Sequence, residues 1–82
     1  MSAEEIAVEV KREIGDDPTI EGAAHILVFA RKTGIWPFRK EDIRLSGIVH
    51  VESDKAKAEV HAKHAAGDLP VVNEIEVVPK DK

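Results

Sequence analysis

The 82-residue chain contains no cysteine and no tyrosine, and only three of its residues are aromatic. Without cysteine it can form no disulfide, no thiolate nucleophile and no thiolate-ligated metal site. It also lacks an apolar run long enough to span a bilayer, and its start, MSAEEIAVEV, has acids where a signal peptide has cations. We therefore expect a cytoplasmic protein as the sequence is written, and a periplasmic one if a signal peptide has been removed.

Residue patterns of known enzyme sites are missing as well. The chain has no glycine-rich phosphate loop, no nucleophile elbow and no pair of carboxylates in an apolar setting. His61 and His64 lie three residues apart, but a metal ion needs three or four converging ligands. We predict a non-catalytic protein with no cofactor and no metal site, and we interpret these two histidines as solvent-exposed side chains.

The net charge of −4 is unevenly distributed along the chain. Residues 1–30 carry a net charge of −5, whereas residues 31–44 carry +3. The acidic total argues against nucleic acid as a partner, but the basic segment is suited to an anionic surface.

Apolar periodicity and capping residues predict the order α-β-β-α-β. Ser2 and Glu5 form a capping box, and Ile6, Val10 and Ile14 repeat every four residues as the apolar stripe of a first helix. Gly15 is expected to end this helix.

Three strands and a second helix follow in the prediction. The strands are predicted at 24–31, 43–51 and 71–78, and the helix at 53–66, capped by Ser53. In the second strand one set of alternating residues should face the core: Ile43, Leu45, Gly47, Val49 and Val51. The expected fold is an α/β (α+β) two-layer sandwich, a single domain over 1–82, with two helices on one face of a three-stranded mixed sheet.

The run IRLSGIVHVESDKAKAEVHAKHAAGDLPVVNEIEV, residues 43–77, resembles the core of a BON domain. It carries I-x-L-x-G-x-V and V-x-N-x-I-x-V, joined by a helix rich in Lys, Ala and Glu. The resemblance implies a bacterial, non-catalytic module, found in osmotic-stress and envelope proteins, that binds phospholipid membranes or other envelope partners. Gly47 and Asn73 match family positions, and we interpret both as structural. The connection 32–42 departs from the family, because it replaces a short turn with a longer, basic and aromatic segment.

That connection lies in ARKTGIWPFRKED, residues 30–42, the strongest candidate for a binding site. Its composition suits an anionic membrane surface, contact with a protein, or stacking on single-stranded nucleic acid. Alternatively, Trp36 and Phe38 fold back onto the sheet as part of the core. We predict weak peripheral binding to a phospholipid membrane or envelope component as the leading function. The residues predicted to make this contact are Arg31, Lys32, Trp36, Phe38, Arg39, Lys40 and Arg44.

The alternative function is protein–protein interaction, or self-association as a homodimer. With both helices on one side, the other face of the sheet would be open and partly apolar, and monomers rarely leave such a patch bare. We predict that Ile48 and His50 lie on this open sheet face.

Overall fold

The computed structural model describes residues 2–35 and 37–80. Two helices and a four-stranded mixed sheet form a sandwich of two layers, which confirms the predicted fold class. The elements in chain order are α1 (Ala3–Gly15), a 3-10 turn (Ala23–His25), β1 (Ile26–Thr33), β2 (Lys40–Val49), α2 (Glu52–Ala66), β3 (Val71–Asn73) and β4 (Glu76–Val77).

Helix α1 begins and ends close to where the sequence predicts. The amide of Glu5 donates to the hydroxyl of Ser2 (3.2 Å), and the amide of Ser2 donates to the carboxylate of Glu5 (2.8 Å), so the capping box is present. Gly15 is the last helical residue rather than the residue after the helix, and Asp16 is the C-cap.

Strand β2 is the centre of the sheet. It pairs antiparallel with β1, from Ile26 opposite Gly47 to Thr33 opposite Lys40, and parallel with both β3 and β4. Both helices pack on the same face. The core residues of the sheet and of α2 are Ile26, Ile43, Leu45, Val49, Ala58 and Ala62, all fully buried. The alanines let α2 approach the sheet closely.

The predicted third strand, 71–78, is interrupted at Glu74 and Ile75 and forms the two short strands β3 and β4. Asn73 causes the interruption. Its carboxamide oxygen accepts a hydrogen bond from the amide of Ile75 (3.1 Å), and its amide group donates to the carbonyl oxygen of Lys55 and to Glu59 of α2 (both 3.1 Å). The side chain thus replaces ladder bonds and ties the strand to the helix.

The start of α2 differs from the prediction. Helix α2 begins at Glu52, and its N-cap is Val51, which makes no side-chain capping bond, so Ser53 is not the cap. The predicted inward position of Val51 is also wrong, because β2 ends at Val49 and Val51 is exposed. Asp54 in the first turn is buried, and its carboxylate accepts from the amide of Gly22 (3.4 Å).

The two long strands extend further than predicted, and the connection between them is correspondingly shorter. Residues 31–33 and 40–42 continue the ladder, so the segment between β1 and β2 is 34–39. Opposite charges face each other across this extension, with Arg31 opposite Asp42 and Lys32 opposite Glu41. Such cross-strand pairs favour strand pairing where no apolar core is available.

Candidate binding surface at the hairpin tip

The β1–β2 hairpin ends in a tip, which we define as residues 34–40. Gly34 makes the chain reversal with a φ of +87°, and an added Cβ there would overlap the carbonyl oxygen of Phe38. The amide of Phe38 donates to the carbonyl oxygen of Ile35 (2.6 Å), which closes the turn. A glycine is therefore required to bring Ile35 and Phe38 together at the end of the hairpin.

Two large apolar side chains of the tip point into solvent. Ile35 is 79% exposed and Phe38 is 77% exposed. The alternative in which Phe38 folds back onto the sheet is therefore wrong, because its side chain is exposed. Trp36 lies outside the described residues. Ile35 was not among the predicted contact residues, although its place beside Trp36 in a segment with few other apolar residues could have identified it.

The predicted cations divide into two groups. Arg31, Arg39 and Lys40 are exposed, and within residues 2–35 and 37–80 none of them forms an ion pair. Lys32 lies on the helix side of the hairpin, where its ammonium group is 3.5 Å from the carboxylate of Glu4 and 3.9 Å from that of Glu41. Arg39 and Lys40 therefore supply the positive charge next to Phe38, whereas Lys32 is largely balanced.

Arg44 lies away from the tip, in the middle of β2. Its guanidinium group contacts the carboxylates of Asp42 (3.2 Å) and Glu74 (3.1 Å), and its side chain is mostly buried. The structure thus separates Arg44 from the other predicted contact residues. Arg44 lies on the open sheet face, and its contact with Glu74 joins β2 to the segment between β3 and β4.

The open sheet face carries several apolar side chains. Leu27 is 58% exposed, Phe29 43% and Ile48 47%. Ile48 lies in this face, while His50 follows the end of β2 and its Nδ1 is 2.8 Å from the carbonyl oxygen of Val78.

The sequence did not predict the contacts of His61, which is not a freely solvated side chain. Its Nε2 lies 2.8 Å from the carboxylate of Asp17, and its Nδ1 lies 3.3 Å from that of Glu13. The hydrogen bond with Asp17 and then that with Glu13 raise the pKa of His61. Hydrogen bonds from His61 and Thr19 lower the pKa of Asp17. This cluster connects α2 to the end of α1 and the turn after it.

These pKa shifts predict a defined pH dependence of stability. A raised pKa of His61 contributes stability that is complete below its unfolded pKa of about 6.5 and is lost as pH rises through the folded pKa. The lowered pKa of Asp17 contributes stability that is present above its unfolded pKa of about 3.9 and is lost as pH falls through the folded pKa. We expect the melting temperature to fall between pH 6 and pH 8.5, and His61→Gln to remove most of that fall.

The matched control is His64→Gln, because His64 is well exposed and lies 3.5 Å from Glu13. It should keep most of the wild-type fall in melting temperature. Equal pH profiles for wild type and His61→Gln in thermal denaturation would contradict this account of the cluster.

Metal ligands and membrane-spanning helices are the remaining features to consider among residues 2–35 and 37–80. No group of three or more histidine and acidic side chains among them could hold a metal ion. Neither of the described helices has the length and apolar composition that crossing a bilayer requires.

Comparison with protein-family models matches residues 38–79 to the BON domain. The matched segment is just over half of the chain and contains all of β2, all of α2 and both short strands. No curated protein matches the chain. Gly47 and Asn73 lie in this segment, where Gly47 approaches the backbone of His25 and Asn73 connects β3 to α2. The order of elements, these two residues and the family match together show that the chain belongs to the BON domain family.

Proposed function

We propose that the protein is a non-catalytic binding module that attaches weakly to anionic phospholipid membranes through the tip of its β1–β2 hairpin. The observation that carries this proposal is the exposure of Ile35 and Phe38 beside Arg39 and Lys40. BON domains are generally non-catalytic binding domains, and lipid is one of the partners expected of them.

Apolar and basic side chains at the tip would act together. An apolar side chain at the end of a hairpin enters the boundary between headgroups and acyl chains, and cations nearby meet anionic headgroups. Each such cation contributes about 1 kcal/mol near an anionic leaflet. Arg39 and Lys40 are placed next to Phe38 in the chain, so both contributions arise from one short segment.

The net charge of −4 makes the orientation of the domain important. The carboxylates of Glu4 and Glu41 lie nearest the hairpin tip. Their negative charge is partly neutralised, because the ammonium group of Lys32 lies close to both. The first turn of α1, which carries Glu4 and Glu5, is the part of that helix nearest the tip, and screening within about 8 Å at physiological salt limits its repulsion from an anionic surface. We therefore expect binding to be weak and to depend on salt.

The test is binding to vesicles of phosphatidylcholine with and without phosphatidylglycerol, at low and at high salt. We expect binding only to the anionic vesicles, weakened by salt, with a blue shift in the emission of the single tryptophan. Arg39→Gln with Lys40→Gln should weaken binding about tenfold or more, from about 1 kcal/mol per cation. Equal binding of wild type and this double variant, or binding that salt leaves unchanged, would contradict the proposal.

The second candidate function is docking of a protein partner on the open sheet face. It is favoured by the exposure of Leu27, Phe29 and Ile48 on one surface. Apolar docking should not weaken with salt, and Ile48→Lys should abolish it while leaving vesicle binding at the tip unchanged.

A further inference from the structure

Strand β1 is an edge strand, with β2 as its one neighbour in the part of the chain that the structure describes. Backbone polar groups alternate in direction along a strand. The carbonyl oxygen of His25 lies against Gly47 of β2, whereas the ammonium group of Lys11 donates to the carbonyl oxygen of Ile26. It follows that the peptide groups of Val28 and Ala30 point off the free edge, where another strand could pair with them.

The surroundings of this edge are apolar in the middle and charged at both ends. A groove between α1 and β1 is lined by Ala7, Val8, Val28, Phe29 and Ala30, with Glu4 and Lys11 of α1 also at its wall. Val8 is 71% exposed although it lies on a helix that packs against the sheet. Edge strands are commonly protected by charge or by short length, and β1 has eight residues with an apolar centre.

The charges at the two ends are opposite in sign. Lys11 lies at the beginning of β1, where it contacts Ile26, and Glu4 lies near its end, 3.5 Å from Lys32. If two copies of β1 pair antiparallel about a two-fold axis, the beginning of one strand lies beside the end of the other. Each Lys11 would then meet the Glu4 of the other copy, so the surface is complementary to itself.

One register satisfies both the charges and the backbone. With the axis at Phe29, Ile26 of one copy lies opposite Lys32 of the other, and Val28 lies opposite Ala30. This register brings Lys11 to the partner's Glu4 and pairs the peptide groups that point off the edge. It also brings the two copies of Val8 and of Phe29 together at the axis, where their exposed surface would be covered.

We propose that the protein forms a homodimer by antiparallel pairing of β1 with β1 of a second copy, centred on Phe29. The two sheets become one continuous sheet with all helices on the same side. The hairpin tips lie at opposite ends of the dimer, so neither is covered. This inference does not depend on lipid binding, because the dimer forms in solution without vesicles.

Charge reversal gives the sharpest test. Glu4→Lys puts a base at both positions of the proposed Glu4–Lys11 contact, and Lys11→Glu puts an acid at both, while Lys32 beside Glu4 is the same in the two variants. In sedimentation equilibrium we expect each variant alone to dimerise about tenfold or more weakly than wild type. An equimolar mixture of the two should recover dimers, because opposite charges then face each other. Recovery of dimers in the mixture also shows that both variants are folded.

Hydrogen exchange on the wild-type protein gives a second test that needs no variant. The amides of Val28 and Ala30 should exchange quickly in dilute solution and slowly at high protein concentration. Ile48→Lys, on the same sheet face but on β2, is the control and should leave dimerisation unchanged. The inference is overturned if wild type stays monomeric at high concentration, if the mixture associates no better than its components, or if exchange at Val28 and Ala30 does not depend on concentration.

Discussion

Replacing Gly47 by alanine is expected to lower the free energy of unfolding by about 3 kcal/mol or more, from backbone strain and overpacking together. Gly47 has a φ of +116°, a conformation that residues with a side chain rarely adopt. An added Cβ would overlap the carbonyl oxygen of His25 and contact the backbone of Ile26. Because these are backbone atoms of β1, they cannot move without breaking the pairing of Ile26 with Gly47.

A loss of this size is large for the domain, since 82 residues correspond to a total stability of about 4–12 kcal/mol. The measurement is urea denaturation followed by circular dichroism. Gly15→Ala is the matched control: Gly15 is helical, has nothing near its Cβ position, and should gain about 0.5 kcal/mol on replacement. A Gly47→Ala variant within about 0.5 kcal/mol of wild type would show that the close approach to β1 is not required.

Replacing both Ile35 and Phe38 by serine should weaken binding to anionic vesicles by about a hundredfold or more, since burial of each such side chain contributes about 1.5–3 kcal/mol. Both side chains are more than three-quarters exposed, so their removal takes away no packing within the domain. We therefore expect the melting temperature to stay close to that of wild type. Vesicle co-sedimentation over a range of lipid concentrations measures the change.

The matched control for this pair is Val60→Ser. Val60 is an exposed apolar residue of α2, in the helix layer and away from the hairpin. Its replacement should change neither stability nor vesicle binding appreciably. If Val60→Ser weakens binding as much as the double variant at the tip does, lipid contact is not confined to the tip.

The layers of the fold could be predicted because periodicity and capping residues specify them locally. The stripe of Ile6, Val10 and Ile14 is buried in α1, and Ile43 and Leu45 face the helices as alternation requires. The ends of β1 and β2 could not be predicted in this way. There the hairpin extends beyond the helix layer and both faces are polar, so the pairing of Lys32 with Glu41 becomes visible only once the register is known.

Two further features depend on contacts between distant parts of the chain. The interruption between β3 and β4 arises because Asn73 bonds to α2, and nothing in the alternating run VVNEIEVV indicates it. His61 meets Asp17 across a separation of 44 residues, so its spacing from His64 gave no guide to its partner. Exposure of Ile35 and Phe38 likewise depends on where the hairpin ends, and composition alone left a core role for the aromatic residues open.

Lipid contact at the hairpin tip is the property we propose for this protein, and it can be observed residue by residue. The most direct test is a two-dimensional amide NMR spectrum of the labelled protein, alone and with phosphatidylglycerol vesicles, at low and high salt. We predict that signals of residues 34–40 are lost selectively on adding vesicles at low salt and return at high salt. Signals of residues 34–40 that remain unchanged while those of Leu27, Phe29 or Ile48 are lost, or no loss at all, would contradict the claim.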